Sequence, residues 1–98
     1  MLTYREFGAE CAAEVREIYA ALGWTSYLDD ADKLRRALER SLFLLGAFED
    51  GTLVGFVRCV GDGEHILYVQ DLVVTPAMQR KGIGRELMRR GSERFSHV

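Results

Sequence analysis

Two glycines in the last third of the chain carry the clearest chemical signal in the sequence. Gly82 and Gly84 stand two apart in the segment Gln79–Arg85, which reads Gln-Arg-Lys-Gly-Ile-Gly-Arg. Because glycine has no side chain, a turn built on it lets a ligand approach the backbone amides closely. A helix that starts here would direct its unpaired amides and the positive end of its dipole at that ligand. The segment therefore suits an anion such as a diphosphate.

The charges of the segment favour the same ligand. It carries three cations: Arg80, Lys81 and Arg85. Two other phosphate-binding patterns do not match, since a dinucleotide fold needs Gly-x-Gly-x-x-Gly and a nucleotide-triphosphate loop needs Gly-Lys-Ser/Thr. A structural alternative stays open, in which the glycines only allow a strand and a helix to pack closely.

Two amphipathic helices are predicted near the N-terminus, after a short strand at residues 2–6. Apolar residues recur at helical spacing between residues 10 and 22, and Gly23 is a natural C-terminal stop. Asp29 or Asp30 would cap a second helix. Its apolar face would be formed by Ala31, Leu34, Ala37 and Leu38.

Three consecutive strands are predicted for the middle of the chain. Apolar segments at 42–48 and 53–60 flank an Asp-Gly pair, which is a strong hairpin signal. A third strand, 65–74, ends before Pro76. Simple alternation places Ile66, Tyr68, Leu72 and Val74 on one face of it and Leu67, Val69 and Val73 on the other. Two apolar faces suit a strand covered by helices on both sides.

A last helix after the glycines completes the order β-α-α-β-β-β-α, with Ile83, Leu87, Met88 and Gly91 on its inward face. We therefore expect an α/β fold with a mixed, mainly antiparallel sheet flanked by helices. The 98 residues, 48% of them apolar and 29% charged, are expected to form a single domain over 1–98.

Composition limits the cellular and chemical setting. No apolar run approaches the roughly 20 residues that span a bilayer, and the N-terminus lacks a signal-peptide core, so we expect a cytoplasmic protein without a membrane partner. Cys11 and Cys59 have no metal-ligand spacing and are expected to be buried free thiols, and no metal is expected. The C-terminal helix is basic, but the chain carries a net charge of −2, so nucleic acid is not an expected partner.

The segment Tyr68–Met88 resembles the central motif of the GNAT superfamily of N-acetyltransferases. It reads Tyr-Val-Gln-Asp-Leu-Val-Val-Thr-Pro-Ala-Met-Gln-Arg-Lys-Gly-Ile-Gly-Arg-Glu-Leu-Met. The family signature Gln/Arg-x-x-Gly-x-Gly/Ala is matched by Gln79, Gly82 and Gly84, and the upstream element order agrees as well. The resemblance implies a GNAT-like fold and transfer of an acetyl group from acetyl-CoA to an amine acceptor, a small molecule or a peptide.

The resemblance also implies where acetyl-CoA would bind. Its pyrophosphate would lie on the amides of the loop after the third strand, whose candidate residues are Gln79, Arg80, Lys81, Gly82, Ile83, Gly84 and Arg85. The pantetheine arm would pair like an extra strand with the backbone of Leu72, Val73 and Val74, where a bulge usually splays the chain. The Val73 amide is then a candidate donor to the thioester carbonyl.

Three side chains are candidates for the acceptor side. By resemblance, Asp71 on the strand before the glycines can act as the general base, while a carboxylate that binds the amine and a structural hydrogen-bonding residue are open alternatives. Trp24 and Tyr27 lie in the loop between the first two helices, which covers the acceptor site in relatives. Ordinary packing is the alternative for both.

The family pattern continues after the third helix with another strand, a fourth helix and a closing pair of strands. This sequence ends at Val98, so the domain is expected to be C-terminally incomplete relative to the family. The third strand would then lie at a sheet edge, where a second chain can pair with it, and a homodimer is expected. The alternative to an active enzyme is a catalytically weak or inactive acyl-CoA-binding or interaction module derived from the same fold.

Overall fold

A four-stranded sheet with helices on both faces organises the chain, and the computed structural model describes all residues from Met1 to Val98. The elements are β1 (Leu2–Glu6), α1 (Ala12–Ala21), α2 (Ala31–Glu39), β2 (Phe43–Glu49), β3 (Thr52–Gly61), β4 (Leu67–Val74) and α3 (Ile83–Arg94). The strands lie in the order β1-β2-β3-β4, and every neighbouring pair is antiparallel. The predicted element order and the α/β fold class are confirmed.

Local sequence signals explain the helix ends. Gly23 follows α1 with a φ of +77°, which glycine adopts without strain. Of the two aspartates predicted as caps for α2, Asp30 is the N-cap, and its side chain accepts a hydrogen bond of 3.1 Å from the Lys33 amide. A capping bond of this kind stabilises a helix by about 1 kcal/mol.

The predicted Asp-Gly hairpin joins β2 to β3. Asp50 and Gly51 both have a positive φ, +50° and +87°, as a type I′ turn requires. This two-residue turn sets the pairing beside it, Glu49 with Thr52 and Phe48 with Leu53, and the register then shifts between Ala47 and Phe48. The two central strands are buried along nearly their whole length.

Alternation along β3 supplies two separate cores. Phe56 faces α1 and α2, where it packs with Val15, Tyr19 and Leu38. Val57 faces α3, where the core includes Leu45, Ile83 and Leu87. A strand with apolar side chains on both faces thus holds the helical layers on the two sides of the sheet together. No helix in the chain combines the length and the apolar character needed to cross a membrane.

The simple alternation predicted for the third strand is wrong because β4 contains a bulge. Val69 is paired with Cys59 and Asp71 with Arg58, so Gln70 is an extra residue without a partner on β3. An extra residue reverses the faces from that point on. Accordingly Leu67, Val69 and Val74 pack on the α3 side, whereas Val73 belongs to the core under α1 and α2.

β4 pairs with a strand on one side only, although residues on both of its faces pack against helical layers. It lies at the edge of the sheet. Three large apolar side chains remain exposed here. They are Ile66, just before β4, at 59%, and Tyr68 and Leu72, on β4, at 59% and 41%.

Truncation of Phe56 tests the importance of the core under α1 and α2. Phe56 is fully buried and makes edge-to-face contacts with Phe7 and Tyr19 at centroid distances of 6.0 and 5.7 Å. We expect Phe56→Ala to lower the free energy of unfolding by about 3–5 kcal/mol, measured by urea denaturation. Val98→Ala, at a position that is 42% exposed, is the control and is expected to change it by about 0.5 kcal/mol or less. Equal effects of the two substitutions would contradict this assignment.

Candidate functional site

The loop between β4 and α3 turns sharply at two residues. After β4, a short 3-10 turn at Pro76–Met78 leads into Gln79, whose side-chain amide donates a 3.0 Å hydrogen bond to the Val74 carbonyl. Arg80 and Gly82 then both adopt left-handed conformations, with φ of +66° and +83°. Such a conformation is uncommon for a residue with a side chain and points to a constrained turn at a functional site.

This turn leaves a run of backbone donors without acceptors. The amides of residues 80 to 85 donate no hydrogen bond to a backbone or side-chain acceptor of the chain, and the Glu86 amide is the first of α3 to be satisfied, by the Gly82 carbonyl at 3.1 Å. Ile83, buried to 2% exposure in the α3-side core, holds the start of the helix in place. Successive free amides at left-handed turns and a helix N-terminus form a concave anion site.

The basic residues divide into those that are paired and those that are free. Further along α3, Arg89 and Arg90 form salt bridges with Glu86 at 2.8 and 2.6 Å, which hold the pKa of the Glu86 carboxyl at about 2. The three cations of the loop, by contrast, have no carboxylate partner; they are Arg80, Lys81 and Arg85. Their charge is therefore available to a bound anion.

The surroundings of Gly84 bear on the two interpretations of the glycines, which are ligand binding and close packing of a strand and a helix. A Cβ on Gly84 would meet only the Val74 Cγ2 atom at 4.0 Å, which is ordinary contact, so strand-helix packing does not require glycine here. A Cβ on Gly82 would meet nothing within 4 Å, and glycine is favoured there by its positive φ alone. The open space over Gly84 fits a ligand that lies directly on the backbone of the first turn.

The direction of the β4 backbone identifies which groups are free at the sheet edge. The Thr75 amide donates to the Val54 carbonyl at 2.8 Å, and mutually bonded pairs recur every second residue in an antiparallel ladder. With Phe56 opposite Val73, the amide of Val73 therefore points at β3. Leu72 and Val74 direct their amides and carbonyls to the open edge, where the Val74 carbonyl already accepts the Gln79 side-chain amide. This geometry does not suit the Val73 amide as a donor to a ligand.

Asp71 is buried and held by three side chains. Its carboxylate is 3% exposed, and its Oδ2 atom accepts hydrogen bonds from the Tyr19 hydroxyl at 2.6 Å and the Arg58 Nε at 2.9 Å. Its Oδ1 atom has a single long contact, 3.4 Å from the Tyr27 hydroxyl. The bulge at Gln70 turns Asp71 towards α1 and so brings it to these partners.

The environment fixes the protonation of these partners. Burial, followed by the hydrogen bond to Asp71, raises the pKa of Tyr19 well above its ordinary value, so its hydroxyl remains a donor. For Arg58, burial lowers the pKa, but the hydrogen bond and charge of Asp71 outweigh it and leave the pKa raised. Arg58 and Asp71 thus form a buried ion pair with satisfied hydrogen bonds.

Sequence reasoning missed both Tyr19 and Arg58. Tyr19 fitted the apolar face of a helix, and nothing local distinguishes it from a core residue. Arg58 did carry a signal, since it is the sole charged residue of β3, a strand otherwise composed of apolar residues, glycine and threonine. An isolated charge in a buried strand needs a partner, and Asp71 was the isolated charge of the neighbouring strand.

Trp24 and Tyr27 lie beside Asp71 and help to line an open depression of about 500 Å³. The Tyr19 ring stacks on both, with centroid distances of 5.8 Å to Trp24 and 4.3 Å to Tyr27. The Tyr27 hydroxyl also accepts a 3.3 Å hydrogen bond from the Gln70 side chain. The structure therefore brings three sequence candidates together: Trp24, Tyr27 and Asp71.

Removal of one charge tests the buried pair. Arg58→Met leaves the Asp71 carboxylate buried without its counter-charge, and we expect it to lower the free energy of unfolding by about 3–5 kcal/mol. The double variant Arg58→Met/Asp71→Leu, which removes both charges, is expected to be more stable than Arg58→Met alone. Urea denaturation of the two single variants and the double variant measures the coupling. Strictly additive effects would contradict the pairing.

Comparisons with known proteins agree with this geometry. Residues 9–97 match the sequence model of the Acetyltransferase (GNAT) family. Serotonin N-acetyltransferase 2, chloroplastic, of Oryza sativa subsp. japonica is 35% identical over 80 residues, which are 78% of this chain and 39% of that protein. A GNAT-family acetyltransferase from Streptococcus pneumoniae superposes with a TM-score of 0.81 at 35% identity, covering 100% of this chain and 70% of that one.

A further solved structure holds the expected ligand. The GNAT-family acetyltransferase of Brucella melitensis, in complex with acetyl-CoA, has a TM-score of 0.73 at 23% identity over 98% of this chain and 69% of that one, which shows the common fold. The chain spans less than half the length of the curated relatives that it matches. From its fold and its matched residues, the chain belongs to the GNAT family of acetyltransferases.

Proposed function

We propose that the protein binds acetyl-CoA at the loop before α3 and transfers the acetyl group to an amine. The observation that carries this proposal is the run of six free amides from Arg80 to Arg85, framed by three unpaired cations. A diphosphate carries two negative charges and several acceptor oxygens, which these donors match. The space over Gly84 allows that ligand to lie against the backbone.

The reaction needs the thioester and the amine held close together. The amine nitrogen forms a bond to the acetyl carbon, the carbon–sulfur bond breaks, the nitrogen loses a proton, and the released thiolate takes one up. Positioning of two reactants can supply much of the rate acceleration. The chain contributes the loop for the diphosphate and the free edge of β4 for the pantetheine amides.

The backbone direction of β4 changes which amide we assign as the donor to the thioester carbonyl. Since the Val73 amide faces β3, we assign the contacts with pantetheine and the thioester carbonyl to Leu72 and Val74. These two residues lie directly after the bulge and next to the glycine loop. Pairing of a ligand with an exposed strand edge is a common mode of recognition.

The contacts of Asp71 support a positioning role over that of a general base. Its Oδ2 atom already accepts short hydrogen bonds from Tyr19 and Arg58, so only Oδ1 has capacity for a further partner. We propose that Asp71 holds Tyr19 in place and presents only Oδ1 to the acceptor side. Water at the open depression can then take the proton from the amine.

The exposed half of β4 supports a proposal about assembly. Ile66 and Tyr68 lie before the bulge, away from the edge proposed for pantetheine, and each is 59% exposed. An edge strand with exposed apolar side chains is a template for pairing with a second copy. We propose a homodimer through this half of β4.

Substitution of Gly84 tests the coenzyme site with opposite effects on binding and stability. Ala at this position fits the protein itself and favours the helix, so Gly84→Ala is expected to raise the free energy of unfolding by about 0.5 kcal/mol. It should weaken CoA binding about tenfold or more, because its methyl group displaces a charge-assisted hydrogen bond worth roughly 1.5–3 kcal/mol. Calorimetric titration with CoA measures the affinity.

Gly91→Ala is the matched control at the other end of the same helix. Its Cβ would meet Phe43 at an ordinary 3.9 Å, and it is far along α3 from the loop. We expect unchanged CoA affinity. Absence of CoA binding by the unmodified protein at millimolar concentration would contradict the proposed site. Thioester consumption with a panel of amines then separates an enzyme from a module that binds CoA without turnover.

A charge on the exposed edge tests the dimer. Tyr68→Lys is expected to convert a dimer into a monomer in sedimentation velocity at micromolar concentration, because a buried unpaired lysine is costly at an interface. Glu64→Lys, on the exposed loop before β4, is the control and should leave the dimer intact. A monomeric unmodified protein would refute this proposal.

A further inference from the structure

The first half of β4 lacks the charged and proline residues that normally keep a strand edge from pairing with another chain. From Ile66 to Val69 it carries neither kind. The opposite edge of the sheet, β1, has only five residues and carries Arg5 and Glu6. Ile66 and Tyr68 are each 59% exposed. This half of β4 is therefore the edge that suits pairing.

The ladder between β3 and β4 determines which backbone groups of this half are free. The Cys59 carbonyl accepts a 2.9 Å hydrogen bond from the amide just before β2, so Val60, next along β3, directs its own backbone groups at β4. Tyr68 is the partner of Val60 and is therefore bonded to β3. Leu67 and Val69, on either side of it, direct their amides and carbonyls at the open edge.

A second copy of the chain satisfies all of these groups in one antiparallel register. With a two-fold axis at Tyr68, Leu67 lies opposite the partner's Val69, Val69 lies opposite the partner's Leu67, and Tyr68 faces the partner's Tyr68, an aromatic pair that favours association. Moving the axis by one residue would place one of the free positions opposite the partner's His65 or the partner's Asp71. The His65 amide is already bound within its own loop, and the backbone of Asp71 faces β3.

The same register brings the partner's Ile66 opposite Gln70. Before the bulge, the odd-numbered residues of β4 pack on the α3 side, so Ile66 and Gln70 face the α1 side. The Gln70 side chain accordingly donates a 3.3 Å hydrogen bond to the Tyr27 hydroxyl. Because the two-fold axis is perpendicular to the sheet, the partner's Ile66 lies on this same side, next to Gln70.

The depression beside Asp71 is open towards that position. Its lining in this chain comes from two segments, residues 23–27 in the turn after α1 and the pair Gln70 and Asp71 on β4. Beyond β4 the sheet has no further strand. The depression of about 500 Å³ therefore has no wall on the side where the partner's Ile66 comes to lie.

Given the acetyl transfer and the homodimer proposed above, we propose that the acceptor site is completed across the dimer, with the partner's Ile66 as its missing apolar wall. Residue 66 is then a specificity-determining position, because it limits the body of the amine that the depression of the other subunit admits. Pantetheine is not displaced. Each β4 begins at a tight turn, in which the Gly63 amide donates to the Ile66 carbonyl at 3.1 Å, so the partner chain leaves the edge before Leu72 and Val74.

Disulfide cross-linking with oxidised glutathione tests the register. Opposite residues of a non-hydrogen-bonded antiparallel pair have Cα atoms about 4.5 Å apart, within the range of a disulfide. We expect covalent dimers from Tyr68→Cys and from the double variant Ile66→Cys/Gln70→Cys in non-reducing electrophoresis. Cys11 and Cys59, at 5% and 1% exposure, should not react.

Ile66→Cys alone is the matched control for the double variant. It faces Gln70 of the other copy and lies four residues, or about 13 Å, from its own counterpart, so it should not cross-link. Cross-linking of Ile66→Cys alone would overturn the proposal. Failure of both Tyr68→Cys and the double variant to cross-link would overturn it as well.

Tryptophan fluorescence tests whether residue 66 reaches the depression of the other subunit. Trp24 is the only tryptophan of the chain, lines the depression and is 38% exposed. A chain with Trp24→Phe and Ile66→Cys, labelled with a nitroxide quencher, is mixed with the unmodified chain, and dimers are verified by sedimentation velocity. We expect a loss of Trp24 emission, because quencher and ring then lie in different subunits. A nitroxide at Thr52→Cys, on the exposed hairpin after β2, is the control and should cause none.

The outcomes also distinguish the shared depression from the acetyl transfer. Mixed dimers without quenching, or an unmodified protein that is monomeric, would overturn the shared depression and leave the proposed coenzyme site and acetyl transfer untouched. Cross-links and quenching in a protein that binds no CoA would refute the transferase and leave the shared depression in place.

Discussion

A carboxylate can be buried in a protein only where other groups replace the water it loses, and Asp71 shows how much structure that requirement organises here. Its partners come from three elements: Tyr19 from α1, Arg58 from β3 and Tyr27 from the turn after α1. The carboxylate therefore joins the helical layer to the edge of the sheet. The bond from Tyr19 to Asp71 is the direct polar contact between α1 and β4.

The bulge at Gln70 allows an otherwise apolar strand to turn Asp71 towards Tyr19 and Arg58. Before the bulge, Leu67 and Val69 cover the α3-side core. After it, Asp71 and Val73 face the opposite side, towards α1 and α2. The bulge also sets which backbone groups of β4 reach the open edge, so one irregularity controls both the carboxylate and the proposed contacts with pantetheine.

The basic residues at the start of α3 and along it fall into two groups, one paired within the helix and one unpaired in the loop. Arg89 and Arg90 are neutralised by Glu86 within the helix, where they add only modest stability at an exposed surface. The loop cations lack such partners and lie beside amides that the turn leaves free. Unpaired donors and charge at one turn suit an anionic ligand, and membership of the GNAT family supports acetyl-CoA as that ligand in the function that we propose.

The sequence by itself determined those features that depend on neighbours in the chain. Helix caps such as Asp30, the hairpin at Asp50 and Gly51 and the glycine turn before α3 all follow from local backbone preferences, and the predicted element order was confirmed. The position of the bulge at Gln70, the faces of β4 that follow from it and the partners of Asp71 were decided only by the tertiary structure. The reason is physical: the pairing of β4 with β3 introduces the bulge, and burial brings Tyr19 and Arg58, far apart in sequence, to one carboxylate.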